Sequence, residues 1–247
     1  MALNNAHNHP GGDAPPRLLI TAGPTREPID AVRFLGNRSS GRLGVALAQA
    51  AAAAEWSTTI LLGPTEVTPT NPDIERVDFE STAELDAHLQ RHLPTCDILI
   101  MAAAVSDYRP IVSEQDLAGK HRRGDQGLEI KLEPTNDLLA GCSARRQPGQ
   151  LLIGFALEPL DRLESSALRK LAKKSIDLIV ANPLETMGAD KIDAKLFASN
   201  DMQAAGLPRV QSPAPDTPKA DFARWLLERA ADALTHRQAL DAAKANH

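Results

Sequence analysis

Four stretches of this chain combine residue types that can hold anions and stabilise developing charge. In Asn37-Arg38-Ser39-Ser40-Gly41-Arg42-Leu43-Gly44, a serine-glycine turn feeds a run of strong helix formers. Such a turn leaves backbone N–H groups at the positive end of a helix, which is a ready anion site. Its glycines let a ligand and a neighbouring strand approach closely; an ordinary helix with Ser39 or Ser40 as N-cap is the alternative. In Ala103-Ala104-Val105-Ser106-Asp107-Tyr108-Arg109-Pro110, small residues at the end of an apolar run admit a flat ring. Asp107 there can accept from an exocyclic amine or a hydroxyl, unless it simply pairs with Arg109. Lys120-His121-Arg122-Arg123 is a cationic cluster in a long polar segment. Alone it reads as solvated surface, but over an anion site it would stabilise charge during nucleotidyl transfer. Lys170 and Lys174 share a helical face. They repel each other unless an anion lies near, or they are ordinary surface lysines.

The elements that must position these residues alternate between apolar runs and helical patterns. Arg17–Ala22, Thr58–Leu62, Asp97–Ala104, Leu151–Phe155 and Asp177–Ala181 read as buried strands, and Ile74–Phe79 as a weaker one. Helices are expected after Ser39, over Ser81–His92 with a Ser81/Glu84 capping box, over Asn136–Ser143, over Leu163–Lys174 and over Ala220–Leu234. Ser106–Gly127 shows little periodicity and reads as a flexible active-site flap. Further strands are expected at Leu128–Leu132, Ala194–Ser199 and Leu207–Gln211. Strands alternating with helices describe an α/β, Rossmann-like, doubly wound and mostly parallel sheet flanked by helices. Its ligands bind outside the carboxyl ends of the strands. The segments after Ala22, Ala104, Phe155 and Ala181 therefore converge on one crevice.

Composition narrows the function. The chain has 247 residues, 43% hydrophobic and 24% charged, with net charge -5 and only 3% aromatics. These values argue against a nucleic-acid partner. No apolar run reaches membrane-spanning length, so no membrane association is expected. Residues 1–16 read as a disordered tail without a signal sequence, and residues 17–240 as one domain. Cys96 and Cys142 form no CxxC pair and read as reduced, buried thiols of a cytoplasmic protein. Both the dinucleotide fingerprint and the Walker pattern are missing; AGPTREPID follows the first strand instead. Glu27 or Asp30 could help to bind a cation, but no spacing marks a metal site, and the metal ligands stay unassigned.

ITAGPTREPIDAVRFLGNRSSGRLG, AAAVSDYRP, GFALE and DLIVAN together resemble phosphopantothenoylcysteine synthetases over Leu18 to about Asn200. The resemblance implies a ligase that joins 4′-phosphopantothenate to cysteine through an acyl-nucleotide, in coenzyme A biosynthesis. It implies CTP, or else ATP, as co-substrate, with magnesium, and a homodimer whose subunits share the active site. A short N-terminus resembles the stand-alone synthetase, so no flavin is expected. Asn37 and Lys120 are then the catalytic residues. Ser39, Gly41, Gly44 and Asn182 join Asn37 on the substrate side. Met101, Ala102, Ala103, Asp107, Asn136, Asp137, Leu138, Leu139, Phe155, Lys170 and Lys174 join Lys120 around the nucleotide. The family flap KxKK is Lys120-His121-Arg122-Arg123 here, which keeps charge and changes geometry. The family's NPDI is Thr135-Asn136-Asp137-Leu138, without its proline. Two rival classes remain at this point: an NAD(P)-dependent oxidoreductase on a similar sheet, and a non-catalytic nucleotide-binding regulator.

Overall fold

A computed structural model describes residues 14–121 and 127–245. In chain order the strands are β1 Arg17–Ala22, β2 Arg26–Pro28, β3 Phe34–Gly36, β4 Ser57–Leu62, β5 Glu75–Asp78, β6 Ile98–Met101, β7 Tyr108–Pro110, β8 Leu132–Pro134, β9 Leu151–Glu158, β10 Leu178–Pro183, β11 Lys191–Ile192, β12 Lys195–Ala198, β13 Val210–Gln211 and β14 Thr217–Pro218. The helices are α1 Arg42–Ala53, α2 Thr82–His92, α3 Glu114–Ala118, α4 Leu138–Arg145, α5 Leu163–Lys174, α6 Asn200–Ala204 and α7 Lys219–Ala245.

Eight strands form the main sheet in the order β13-β12-β10-β9-β6-β1-β4-β5. β5, β4, β1, β6, β9 and β10 run parallel, and β12 and β13 add an antiparallel edge. From β1 the chain winds outward through β4 and β5, then returns to β6 and winds the other way. The order therefore reverses between β1 and β6, where ligand crevices open in such sheets.

The parallel strands are apolar throughout because helices cover both faces. Leu18 and Ile20 point to a layer shared with Leu47 and Ala48 of α1 and Phe222 and Leu226 of α7. Leu19 points the other way, toward Leu85 of α2, Leu139 of α4 and Leu171 of α5. The closing helix runs further than its expected end at Leu234, to Ala245. Its far half is held by the buried Arg237, whose guanidinium meets Asp177 at 3.2 Å and Asp241 at 2.8 Å. Asp177 also accepts the Leu152 N–H at 2.8 Å and pairs with Arg146 at 2.9 Å. This knot ties α7 to β9 and to the start of β10.

Several expectations need correction. The strand expected at Leu128–Leu132 lies at Leu132–Pro134 and pairs only with β7, outside the main sheet. β6 ends at Met101, short of Ala104. The edge strand near Leu207 is only Val210–Gln211, and the helix expected from Asn136 starts at Leu138. The Ser106–Gly127 segment, read as a flexible flap with little periodicity, contains β7 and α3, and α3 carries a Ser113/Asp116 capping box. The loop after β1 holds a small hairpin, β2–β3. The tail residues 1–13, and Arg122 and Arg123 of the expected flap, lie outside the described residues.

Candidate functional site

At the carboxyl ends of β1, β6, β9 and β10 lies a cavity of about 760 Å³, within the usual size of small-molecule sites. One wall is the turn into α1. Neither Ser39 nor Ser40 is the N-cap. Gly41 is, in the left-handed conformation with φ 70°, and no side chain caps the helix. A side chain at Gly41 would be strained there. The turn is fixed from outside by Thr65, whose hydroxyl donates to the Ser40 carbonyl at 2.7 Å. Gly44 presses α1 onto β1 so closely that a Cβ there would sit 2.4 Å from that of Ala22. The first turn of α1 has no acidic residue, so its amides remain available to an anion.

The floor is the exit of β6. Thr25 donates its N–H to the Ala104 carbonyl at 3.1 Å, and Ala104 donates to Gly23 at 2.9 Å. The same Ala104 carbonyl receives the Asn37 side-chain amide at 3.1 Å. That bond uses one of the two amide hydrogens of Asn37, and Asn37 lines the cavity. Behind the floor, buried Glu27 accepts from the Thr82 hydroxyl at 2.6 Å. The Thr82 hydroxyl also lies 3.3 Å from that of Thr25, which accepts the Ser106 N–H at 2.9 Å. Glu27 is thus a buried hydrogen-bond acceptor in the scaffold. Asp107 carries an exposed carboxylate on the cavity wall. It does not pair with Arg109, which instead meets Glu133 across the β7–β8 hairpin at 2.7 Å.

Opposite stand the lysines of α5. Lys170 meets Glu158 at 2.6 Å, and Lys174 meets Asp137 at 2.6 Å. The repulsion expected between them is therefore offset by protein carboxylates. Asp137 is also the N-cap of α4, accepting from the Ala140 N–H. Burial pushes both carboxyls up, but the lysine partners and hydrogen bonds outweigh it and hold Glu158 and Asp137 below their ordinary range. Asn182 donates to the Thr186 hydroxyl at 2.7 Å.

Asn37, Ser39, Gly41, Gly44, Met101, Ala102, Ala103, Asp107, Asn136, Asp137, Leu138, Leu139, Phe155, Lys170, Lys174 and Asn182 all line this one cavity. Lys120 does not. It is exposed, and its neighbours are tied to the loop between β2 and β3. Ala31 donates its N–H to the Gly119 carbonyl at 2.9 Å, and His121 donates its N–H to Asp30 at 3.1 Å. Asp30 is buried and also accepts from the Val32 and Arg33 amides and the Arg33 guanidinium. These donors, Arg33 foremost, hold its carboxyl far below the usual range against the opposing effect of burial.

Sequence reasoning missed Thr65, Thr186 and Lys219. The first two act through contacts distant in sequence or local to one turn, and Lys219 lies in a Pro-rich stretch without a motif. Burial pushes the thiol of Cys96 up to about 12 and that of Cys142 up to about 11. Among the described residues, no three His, Cys, Asp or Glu side chains gather to hold a metal ion. Among the same residues, no helix is long and apolar enough to cross a membrane.

A parallel sheet that reverses its order over a strand-end cavity defines an α/β protein of the Rossmann-like class. More specifically, the chain belongs to the family described as DNA/pantothenate metabolism flavoprotein C-terminal domain, whose profile matches residues 14–233. Over 173 residues it is 44% identical to a protein named cysteine/cysteine sulfinic acid decarboxylase, from an unknown prokaryotic organism; the match covers 70% of this chain and 47% of the relative. It is 39% identical over 201 residues to the coenzyme A biosynthesis bifunctional protein CoaBC of Mycobacterium bovis, covering 76% of this chain and 47% of the relative. The chain thus spans about half the length of the curated relatives it matches. The crystal structure of the C-terminal domain of a coenzyme A biosynthesis bifunctional protein CoaBC is similar, with a TM-score of 0.73 and 32% identity over 90% of this chain and 96% of that one.

Proposed function

We propose that the chain is a phosphopantothenate–cysteine ligase, a single synthetase domain over residues 17–240 acting in the cytoplasm. One observation carries the reading: every residue that the family resemblance assigns to substrate or nucleotide, Lys120 apart, lines the same strand-end cavity. In this reading the carboxylate of 4′-phosphopantothenate attacks the α-phosphorus of CTP, the preferred triphosphate over ATP. An acyl-cytidylate forms and pyrophosphate leaves. The amine of cysteine then attacks the acyl carbon, the amide forms and CMP departs. The second amide hydrogen of Asn37 stabilises the oxygen charge of the tetrahedral intermediate. Lys120 stabilises charge during nucleotidyl transfer. A magnesium ion bound to the triphosphate would need one or two protein carboxylates, and Asp107, exposed on the cavity wall, would supply one if it does not contact the base.

A homodimer with shared active sites belongs to the same reading. Supporting it, Phe34 and Leu35 on the β2–β3 hairpin and Tyr108 and Leu132 on the β7–β8 hairpin are exposed. Both hairpins adjoin cavity-lining residues, so a second copy covering them would bring its own flap near this cavity.

The test is pyrophosphate release with CTP or ATP, with and without phosphopantothenate and cysteine. Release that needs the nucleotide and phosphopantothenate, followed by cysteine-dependent CMP, is the expected result. No release with either nucleotide would remove the ligase reading. Nucleotide binding without release would favour a regulator, saturable NADPH binding an oxidoreductase, and carbon dioxide from cysteine alone a decarboxylase.

A further inference from the structure

We propose that Lys219, with Arg42 beside it, binds a phosphate group of a ligand in the main cavity. The proposal deepens the ligase reading and rests on it only for naming the phosphates at hand.

Arg42 is the first residue of α1 and Lys219 the first residue of α7, and both line the cavity. Two helices thus begin at the same wall, each with the positive end of its dipole there. The Lys219 backbone N–H donates to the Asp190 carbonyl at 3.0 Å, and its ammonium donates to the Ala189 carbonyl. An ammonium has three hydrogens, so this contact leaves donors for a ligand. Burial pulls the Lys219 amine below its ordinary value, and nearby Arg42 adds to the effect against the opposing pull of Asp190. The only ion pair at this corner among the described residues is Arg42 with Asp190, at 2.8 Å. The Asp190 side chain is 88% exposed, so it offsets little of the cationic charge. The α5 lysines across the cavity already have carboxylates within 2.6 Å. The Arg42–Lys219 corner is therefore under-neutralised, and a phosphate would relieve the mutual repulsion of its cations.

If Lys219 merely fastened the Ala189 carbonyl, ligand affinity would not depend on its charge. Lys219→Met keeps the length of the side chain and removes the charge; Lys219→Arg keeps the charge. Calorimetric titrations of each with CTP, inorganic pyrophosphate, phosphopantothenate and unphosphorylated pantothenate separate the possibilities. Lys219→Met should weaken a phosphate-bearing ligand about 10- to 100-fold, the loss of one charge-assisted hydrogen bond. Pantothenate binding should not change, and Lys219→Arg should recover most of the loss. Loss with CTP and pyrophosphate assigns the triphosphate; loss with phosphopantothenate assigns the substrate phosphate. Wild-type affinity of folded Lys219→Met for all of them overturns the proposal. Should that variant not fold, acylation of Lys219 in the wild-type protein, read by mass spectrometry, replaces it. CTP or phosphopantothenate should protect the amine, and protection by neither overturns the proposal. Pyrophosphate release by the wild type is scored separately, so a phosphate site without ligase turnover sinks the ligase reading alone.

Discussion

The turn from Asn37 to Gly44 and the segment from Gly119 to His121 hold the two proposed catalytic residues by opposite means. The turn belongs to the sheet framework. Asn37 is bonded to the β6 exit, Thr65 fixes Ser40, and Gly44 lies flush on Ala22. The segment around Lys120 is held by the rim, through Asp30 and Ala31, away from the cavity lining. In the proposed ligase the binding surface would thus be preformed, whereas Lys120 would act from outside the cavity lining. Pre-organised donors cost no rearrangement at the moment of reaction, whereas a group outside that surface can be removed without harming binding.

Variants can break this contrast. Asn37→Ala should cut product formation by about 10²–10³ and leave CTP affinity nearly intact; full activity would refute its proposed role. Lys120→Ala should lower pyrophosphate release by about 10- to 100-fold, the loss of one charge-assisted contact, with the melting temperature unchanged. A loss of CTP affinity equal to the loss of rate would mean instead that Lys120 belongs to the preformed surface. Gly44→Ala should destabilise the fold by about 1–3 kcal/mol through overpacking against Ala22, measured by urea unfolding. Asp30→Asn should act only locally, raising hydrogen exchange at the His121 amide with little effect on global stability. In the wild type the same staple has a defined pH sense. Because the Asp30 carboxyl is held low in the folded chain, its contribution is complete above an unfolded carboxylate pKa of about 4. It is lost as pH falls from there toward the lower folded value. Exchange at His121 that ignores pH through this window would detach the flap root from Asp30.

The parallel sheet was legible because a strand buried on both faces is written as an unbroken apolar run, as in RLLITA and LLIGF. Winding direction brought the segments after these strands to one crevice, while the individual residues, Asn136 to Leu139, Phe155 and Asn182 among them, came from the family resemblance and not from periodicity. The two hairpins were not legible. Each strand has three residues with largely exposed side chains, too short for alternation to register. Ser39 and Ser40 look like caps in sequence, yet the left-handed Gly41 takes that position. The docking of Lys120 depends on Asp30, 91 residues before His121, a pairing that no local pattern records. Lys219 gives no signal until α7 is seen to begin at the cavity wall.

The buried thiols have a chemical consequence. A ligase of the proposed kind, which generates an activated acyl group in the presence of free cysteine, would be exposed to self-acylation. With Cys96 and Cys142 held protonated at neutral pH and shielded by the core, neither side chain would compete for the acyl-nucleotide of the proposed reaction. The same shielding predicts that mild alkylating agents leave both thiols unmodified in the folded chain, whereas Met187, exposed on the cavity wall, stays open to peroxide.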